Sequence, residues 1–312
     1  MTTTLGIVVP CYNEEEVLPE TAKRLLDLLS RFRDAGLVSG ESALYFVDDG
    51  SKDATWQLIH SLSILDPRVH GIKLSKNRGH QNALLAGLSV AKGDAIITLD
   101  ADLQDDIEVI GEMLDRFAKG CEIVYAVRMS RRSDTVFKRG TARVYYRLLE
   151  SAGVDIVKNH ADFRLMSRRA LYHLQEYSEV NLFLRGIIPL LGFASAIVYY
   201  DRSARFAGNS KYPLRRMLML ALDGVTSFSV MPLRFITMLG IVISLMSFGM
   251  IGWVLYGRLF MNAGIPGWAS SVIPIYFLSG IQLLSIGVLG EYVAKIYMEV
   301  KRRPRFLIEK IV

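Results

Sequence analysis

The stretch AIITLDADLQDD, residues 95–106, joins an apolar run to a cluster of carboxylates. Ala95–Leu99 has the length and composition of a buried β-strand. Four aspartates follow within seven positions, namely Asp100, Asp102, Asp105 and Asp106. Like charges this close repel one another, so the segment predicts a site that receives a positive charge from elsewhere.

Similar apolar runs precede and follow this stretch, at Leu5–Val9, Ala43–Val47, Val69–Leu74 and Glu122–Val127. Helical patterns lie between them, at Glu15–Arg33, Ala54–Leu65, Gln81–Ala91 and Ile107–Ala118. Strands that alternate with helices in this way predict right-handed βαβ units. The expected fold is therefore α/β, with a mostly parallel, doubly wound sheet.

Polar motifs follow the first four predicted strands: PCYNEEE, DDGSKD, SKNRGHQN and DADLQDD. A sheet of this kind binds ligands beyond the carboxyl ends of its strands, so one crevice should collect all four motifs. The glycine-rich phosphate loops of dinucleotide- and ATP-binding proteins are absent from the sequence. Mg²⁺ or Mn²⁺ held by carboxylates is the expected substitute, because it bridges and neutralises a diphosphate.

The aspartates of residues 100–106 divide into two groups. Asp100 and Asp102 are two positions apart, so on a continuing strand they would face the same way, and Gln104 would continue the alternation. These residues are assigned to the nucleotide and the metal. Asp105 and Asp106 are expected instead to cap the helix that begins near Ile107.

Charge and hydropathy divide the chain. Residues 1–127 carry 12 Lys/Arg and 20 Asp/Glu, whereas residues 128–312 carry 25 and 11. Two uncharged stretches in the basic part, residues 235–257 and 259–290, are each long enough to cross a bilayer as a helix. Basic residues flank this pair outside and are absent from residues 259–270, which predicts that both termini are cytoplasmic. Small residues in the spans permit contacts between subunits, and so a homo-oligomer.

Six motifs in series carry a family resemblance: VVPCYNEE (8–15), VDDGSKD (47–53), NRGHQNAL (77–84), LDADLQD (99–105), DFRLMSR (162–168) and RFAGNSKY (205–212). Together with the two predicted spans, they resemble the family 2 glycosyltransferases of GT-A fold. The polyprenyl-phosphate hexosyltransferases, especially the bacterial and phage bactoprenol glucosyltransferases, are the most similar branch, and this resemblance implies a bacterial-type inner membrane. The resemblance covers essentially the whole chain and implies inverting transfer of a hexose from a nucleotide sugar to a polyprenyl phosphate.

The resemblance also implies roles for individual residues. Those of the nucleotide-sugar pocket are Pro10, Tyr12, Glu14, Asp49 and Asp100, with Asp49 on the base. Asp102 and Gln104 would hold the divalent metal on the diphosphate. Asp162, with Arg164 beside it, is expected to be essential, either orienting the acceptor or steadying positive charge at the anomeric carbon. A structural Asp162–Arg164 ion pair and a proton-transfer role for Asp162 stay open.

The acceptor phosphate is assigned to basic residues of the second part. By resemblance these are Arg128, Arg139, Arg205, Ser210 and Lys211. Arg139, Arg143 and Arg147 recur every four residues, which predicts an interfacial helix over about 135–152. His80 is a single loop histidine without a metal partner in the sequence, and it is not expected to be a ligand.

The predicted organisation is a cytoplasmic catalytic domain (1–212), an interfacial helix (213–232), a transmembrane hairpin (233–298) and a basic cytoplasmic tail (299–312). Glucose from UDP-glucose is the preferred donor, with mannose from GDP-mannose or a modified sugar as alternatives. A catalytically inactive membrane scaffold is the alternative outside the enzymes. Nucleic acid is not an expected partner, because basic residues beside membrane spans already have an explanation in the anionic lipid surface.

Overall fold

The computed structural model describes residues 2–129, 160–177, 179, 184–201, 231–260 and 268–312. These residues fall into two compact units: residues 303–312 belong with the N-terminal part of the chain, and residues 231–302 form the second unit. The predicted interfacial helix at 135–152 lies outside the described residues. So do Arg139, Arg205, Ser210, Lys211 and nearly all of the segment 213–232.

The first unit is built on a mixed sheet of eight strands in the order β7-β5-β6-β4-β1-β2-β3-β8. The strands are β1 Leu5–Cys11, β2 Ala43–Asp48, β3 Val69–Leu74, β4 Ala95–Thr98, β5 Ile123–Arg128, β6 His160–Ser167, β7 Ser195–Tyr200 and β8 Ile308–Ile311. All five predicted strands are present within two residues of their predicted ends. β1 and β2 are buried along their whole length, as strands covered on both faces must be.

The helices of the first unit are α1 Leu18–Asp34, α2 Thr55–Leu65, α3 His80–Val90, α4 Ile110–Ala118, α5 Arg168–Glu176 and α6 Leu184–Leu190. A short 3₁₀ helix, Ile107–Val109, precedes α4. One face of α1 is apolar at helical spacing, and its Leu25, Leu28 and Phe32 are buried in the core beneath the sheet. The four predicted helices are therefore confirmed.

The sheet is mostly parallel, as predicted, but it also contains two antiparallel strands. β1 pairs in parallel with β2 and β4, β2 with β3, and β5 with β7. However, β6 inserts between β4 and β5 and runs antiparallel to both, and β8 runs antiparallel to β3. Strand β6 therefore runs in the opposite direction to β4, and its first residues, 160–164, lie at the carboxyl end of β4.

The C-terminal segment, predicted as a basic tail, forms part of the sheet. Ser75 N–H donates to Leu307 O, Gly71 and Val312 exchange two backbone hydrogen bonds, and Lys73 Nζ lies 2.9 Å from Glu309 Oε1. Strand β8 thus covers the edge of the sheet at β3, and its backbone forms hydrogen bonds with β3 backbone groups that would otherwise be unpaired.

In the second unit the described residues form two long helices, α7 Met231–Phe260 and α8 Trp268–Val300. Among the described residues, one segment, Phe277–Val300 in α8, is long and apolar enough to cross a membrane. The hairpin of two spans stays a prediction.

Candidate active site

The loops after β1 and β2 are joined to each other by hydrogen bonds. Asn13 N–H donates to Ser51 Oγ at 3.0 Å, and Lys52 N–H donates to Asn13 Oδ1 at 2.9 Å. Glu14 N–H donates to Thr55 Oγ1 at 2.9 Å. These bonds fix the backbone beside the predicted nucleotide pocket, where Pro10 is buried and the Tyr12 side chain is 37% exposed.

Asp49 holds the loop after β3. Its two carboxylate oxygens accept from Arg78 N–H at 2.7 Å and from Gly79 N–H at 2.9 Å. The neighbouring Gly50 has φ +67°, and a Cβ there would lie 2.6 Å from Asn77 N, so the turn after β2 packs directly on this loop. Both oxygens of Asp49 thus accept hydrogen bonds from backbone amides and hold this loop in place.

A network of charged side chains lies where β4, β6, α3 and α6 meet. His80, the first residue of α3, places Nε2 3.4 Å from Asp100 Oδ1 and 3.3 Å from Asp162 Oδ2. Arg185 of α6 donates through Nε and Nη2 to the two oxygens of Asp162, at 3.3 and 3.1 Å. Leu184 N–H, at the start of α6, donates to Gln81 Oε1 of α3, which fixes the two helices against each other.

Asp162 also forms the ion pair with Arg164 that was left open as one interpretation of the sequence. The Nη2 group of Arg164 donates to Asp162 Oδ1, and both side chains are buried. Burial raises the pKa of Asp162, but Arg185, His80 and Arg164 outweigh it and hold that pKa well below its usual value. Asp162 is therefore a fixed anion at neutral pH.

Asp100 is the carboxylate of this network with an oxygen that accepts no hydrogen bond. Its Oδ1 is buried and has no hydrogen-bond partner. Burial raises its pKa, His80 opposes this, and the charges of Asp162, Asp105 and Asp102 add to the increase, so that the pKa is about 6. The charges of the neighbouring aspartates thus act on Asp100, as the repulsion predicted for this segment requires.

The alternation expected for Asp100, Asp102 and Gln104 is wrong. β4 ends at Thr98, residues 101–103 form a turn, and Leu103 has φ +55°. Gln104 N–H donates to Asp102 Oδ1 at 3.2 Å, so the two residues are close because the loop turns back. The residues 99–106 are called the carboxylate loop below.

Only one of the two predicted helix caps is found. Asp106 accepts from Glu108 N–H at 3.0 Å and caps the 3₁₀ helix, as predicted. Asp105 is buried, and its Oδ1 accepts from Tyr200 OH at 2.5 Å and from Arg128 Nη2 at 3.2 Å. Asp105 therefore bonds to a cation and a phenol, 23 and 95 positions away in the sequence, instead of capping the helix.

Three residues of this site were missed or set aside in the sequence. His80 was set aside because it was judged as a metal ligand, whereas its contacts are with two carboxylates. Arg185 and Tyr200 belong to no motif, and their partners come from distant strands. A signal was present only for Tyr200, which ends an apolar run just before the basic segment from Arg202.

The chemistry of the carboxylate loop fits a hard divalent cation. Asp102 supplies carboxylate oxygens and Gln104 an amide oxygen, and beside them the buried Asp100 Oδ1 accepts no hydrogen bond and has His80 Nε2 3.4 Å away. Within the described ranges, no group of three or more His, Cys, Asp or Glu side chains is arranged to hold a metal ion. Mg²⁺ commonly takes one or two protein carboxylates and completes its shell with phosphates and water.

The stability of the fold should report the charge of His80. Burial lowers its pKa, but Asp162 and Asp100 outweigh burial and the pKa is raised. A raised pKa stabilises the fold fully below the unfolded value of about 6.5, and the contribution is lost as pH rises through the folded value. We expect the substitution His80→Gln to lower the free energy of unfolding more near pH 6 than near pH 8.5, when both are measured with a metal chelator present. Equal losses at both pH values would contradict the charged state.

Comparison with known proteins identifies the family. The profile of "Glycosyl transferase family 2" matches residues 6–175. The "Uncharacterized glycosyltransferase YkoT" of Bacillus subtilis is 52% identical over 98% of this chain and 91% of its own length. The "Prophage bactoprenol glucosyl transferase homolog" of Escherichia coli is 39% identical over 98% of this chain and 99% of its own.

Among solved structures, glucosyl-3-phosphoglycerate synthase from Mycobacterium tuberculosis, in complex with Mn²⁺, UDP and glucosyl-3-phosphoglycerate, is similar. The similarity covers 72% of this chain and 78% of that chain, at 19% identity and a TM-score of 0.44. Similarity this low carries nothing about ligands to the present protein. The sequence relatives define the class of the protein, a glycosyltransferase. More particularly, the chain belongs to glycosyl transferase family 2, as the motifs predicted, and its eight-stranded sheet is GT-A-like.

Proposed function

We propose that the protein transfers a hexose, with inversion, from a nucleotide sugar to a polyprenyl phosphate at the cytoplasmic face of a membrane. UDP-glucose is the proposed donor and undecaprenyl phosphate the proposed acceptor. One observation carries the proposal: 98% of the chain aligns at 39% identity with a protein named as a bactoprenol glucosyl transferase homolog. The site supports it, because its carboxylates lie beyond the strand ends where this class of sheet binds ligands.

Donor binding is assigned to the acidic loops. Pro10, Tyr12 and Glu14 would line the nucleoside pocket, and Asp100 would take the nucleoside side of the donor. Asp49 was assigned to the base by resemblance. Its two bonds to Arg78 and Gly79 favour an indirect contribution, in which Asp49 fixes the loop that forms one wall of the pocket.

Asp102 and Gln104 would hold Mg²⁺ or Mn²⁺ on the diphosphate. When bound, such a cation neutralises the diphosphate and stabilises the charge of the departing nucleoside diphosphate as a Lewis acid. The same positive charge would stabilise the Asp100 carboxylate, whose pKa is raised by burial and, in addition, by the neighbouring carboxylates.

Asp162 is proposed to act as a fixed negative charge rather than as a base. The nucleophile is a phosphate oxygen, which is largely ionised at neutral pH because the second phosphate pKa is about 6. Asp162 itself is held ionised by Arg164 and Arg185. A carboxylate with so low a pKa is a poor proton acceptor but can steady positive charge at the anomeric carbon.

The acceptor phosphate is assigned to Arg128, Arg139, Arg205, Ser210 and Lys211 by resemblance. Of these, Arg128 lies at the end of β5, beside the carboxylate loop, with its side chain 25% exposed. Its bonds to Asp105 and Tyr200 orient the guanidinium. An oriented guanidinium is suited to a phosphate because less side-chain entropy is lost on binding.

Membrane topology is proposed from the pairing of β8. Because residues 303–312 belong to the catalytic sheet, the chain must return to the side of the membrane on which that sheet lies. A crossing by Phe277–Val300 therefore requires an odd number of further crossings between residues 202 and 276. The 30-residue helix α7 is long enough to provide one of them, which favours the hairpin with both termini cytoplasmic.

A cysteine placed between the two helices tests this topology. We expect Ala263→Cys to react with a membrane-impermeant maleimide in intact cells, because the hairpin turn would lie outside. Arg303→Cys, next to the sheet, should react only after the membrane is permeabilised. Labelling of neither cysteine in intact cells, with both labelled after permeabilisation, would contradict the hairpin.

Transfer from a panel of nucleotide sugars tests the reaction. Purified protein with Mg²⁺ or Mn²⁺ should move glucose from UDP-glucose into an organic-extractable polyprenyl phosphate, and chelation should stop it. Transfer from GDP-mannose or a modified sugar alone would replace the donor while keeping the reaction class. Absence of any metal-dependent binding of nucleotide sugar would favour the inactive scaffold.

A further inference from the structure

Three side chains form a closed hydrogen-bonded ring beside the carboxylate loop. Tyr200 OH donates to Asp105 Oδ1 at 2.5 Å and accepts from Arg128 Nε at 3.1 Å. Arg128 Nη2 donates to the same Asp105 oxygen at 3.2 Å. The three residues come from the carboxylate loop, the end of β5 and the end of β7, so the ring joins three segments that are far apart in sequence.

The ring is shielded from water at two of its three members. Tyr200 is 2% exposed and the Asp105 side chain 3% exposed, whereas the Arg128 side chain is 25% exposed. Burial, reinforced by the charge of Asp105, raises the pKa of Tyr200, so the phenol stays protonated and donates to Asp105 at neutral pH. A buried hydrogen bond to a charged group contributes more than a neutral one, and its loss leaves the partner unsatisfied.

The hydrogen-bonded ring connects residues that are assigned to the two substrates, and Tyr200 lies between them. Asp105 follows Gln104 directly, so it anchors the part of the loop assigned to the cation. Arg128 is assigned to the acceptor phosphate, and Tyr200 is the residue to which its Nε is bonded. The Tyr200 ring also packs edge-on against Phe163, with centroids 5.7 Å apart, and Phe163 lies between Asp162 and Arg164 on β6. Tyr200 therefore contacts the donor side, the acceptor side and the strand between them.

We propose that Tyr200 is a positioning residue for glycosyl transfer, whose hydroxyl fixes Asp105 and Arg128 together so that the carboxylate loop and the cation at the end of β5 bind the two substrates as one unit. The proposal rests on the proposed function for the identity of those substrates. It assigns to Tyr200 no contact with either substrate. Its consequence is that donor binding and acceptor binding are coupled through one phenolic oxygen.

Tyr200→Phe tests the proposal, with Tyr199→Phe as its matched control. The two tyrosines are neighbours on β7, but Tyr199 is 59% exposed and has no part in the ring. Binding of UDP with Mn²⁺ is measured by calorimetry, with and without farnesyl phosphate as an acceptor analogue, below the unfolding temperature of each variant. We expect Tyr200→Phe to weaken Mn²⁺–UDP binding by about tenfold and to abolish the effect of farnesyl phosphate on it. Tyr199→Phe should stay within about twofold of wild type.

The outcomes separate the ring from the proposed function. Wild-type protein that binds neither UDP nor GDP with Mn²⁺ would overturn the proposed function and this inference with it. If the Tyr200→Phe and Tyr199→Phe variants both bind Mn²⁺–UDP as tightly as the wild type, the positioning role of Tyr200 is overturned while the proposed function stands. The same conclusion holds if Tyr200→Phe binds normally but unfolds at a lower temperature. If Tyr200→Phe is not recovered folded, Asp105→Asn is measured in its place. It should show the same loss of Mn²⁺–UDP binding, and wild-type binding would overturn the inference.

Discussion

Asp162→Ala is expected to abolish transfer and to lower the free energy of unfolding by about 3–5 kcal/mol. The stability loss comes from Arg164, which is 1% exposed and would lose its carboxylate partner. Two nitrogens of that guanidinium, Nε and Nη1, already lack hydrogen-bond partners, and burial lowers the Arg164 pKa despite the nearby Asp162. Without Asp162, a buried cation would remain uncompensated, which is among the most costly changes in a folded protein.

Two further variants separate stability from chemistry. Asp162→Asn keeps the shape and removes the charge, so it should lose less stability than Asp162→Ala while losing transfer comparably. Asp115→Asn removes an exposed carboxylate paired with Lys119 at 2.7 Å, and it should change stability by no more than about 0.5 kcal/mol. Denaturant unfolding and initial rates of transfer measure the two effects. Asp162→Ala with wild-type stability would show that Arg164 finds another partner, and active Asp162→Asn would remove the fixed charge from the mechanism.

Strands β1 to β5 were predictable from the sequence because each of them carries its own signal. Val69–Leu74 was predicted with its observed ends, and Ala95–Leu99 is one residue too long. A strand covered on both faces is a run of apolar residues, and the helix that follows it has a periodicity of its own. Local patterns of this kind need no knowledge of distant residues.

The two antiparallel strands, β6 and β8, were not predictable by the same means. β6 contains the charged residues Asp162 and Arg164, which are buried as a pair, and Asp162 also pairs with Arg185. β8 has three of its four residues exposed, and it forms because β3 offers an open edge. Such strands depend on partners supplied by the fold, which is the usual limit of strand propensity.

The same distinction separates Asp105 from Asp106, which have the same chemistry and adjacent positions. Asp106 bonds to a backbone amide two residues away, a local interaction that sequence position predicts. Asp105 bonds to Tyr200 and Arg128, and no local pattern contains either partner. The carboxylates of one short loop thus divide among a helix cap, a buried ring and the proposed cation site.

Asp102→Ala is expected to reduce transfer by about a thousandfold or more, while Asp106→Ala leaves it nearly unchanged. Asp102 is the carboxylate assigned to the cation. Without the cation, the departing diphosphate loses its Lewis-acid stabilisation, which raises the activation free energy by several kcal/mol. Asp106 is only a cap, so its loss should cost about 1 kcal/mol of stability. The measurements are transfer rate, Mn²⁺ binding in the presence of UDP, and unfolding free energy.

The pair is informative because both changes remove one negative charge from the same loop, four positions apart. A general effect of loop charge on the phosphates would therefore move both variants in the same direction. A cation site requires that only Asp102→Ala lose Mn²⁺ binding, since ligation depends on the position of oxygen atoms rather than on net charge. Equal losses in both variants, or retained transfer in Asp102→Ala, would remove Asp102 from the cation site. The positive charge expected by the carboxylate loop would then have to come from cationic side chains of the protein, such as His80, which already lies beside Asp100 and Asp162.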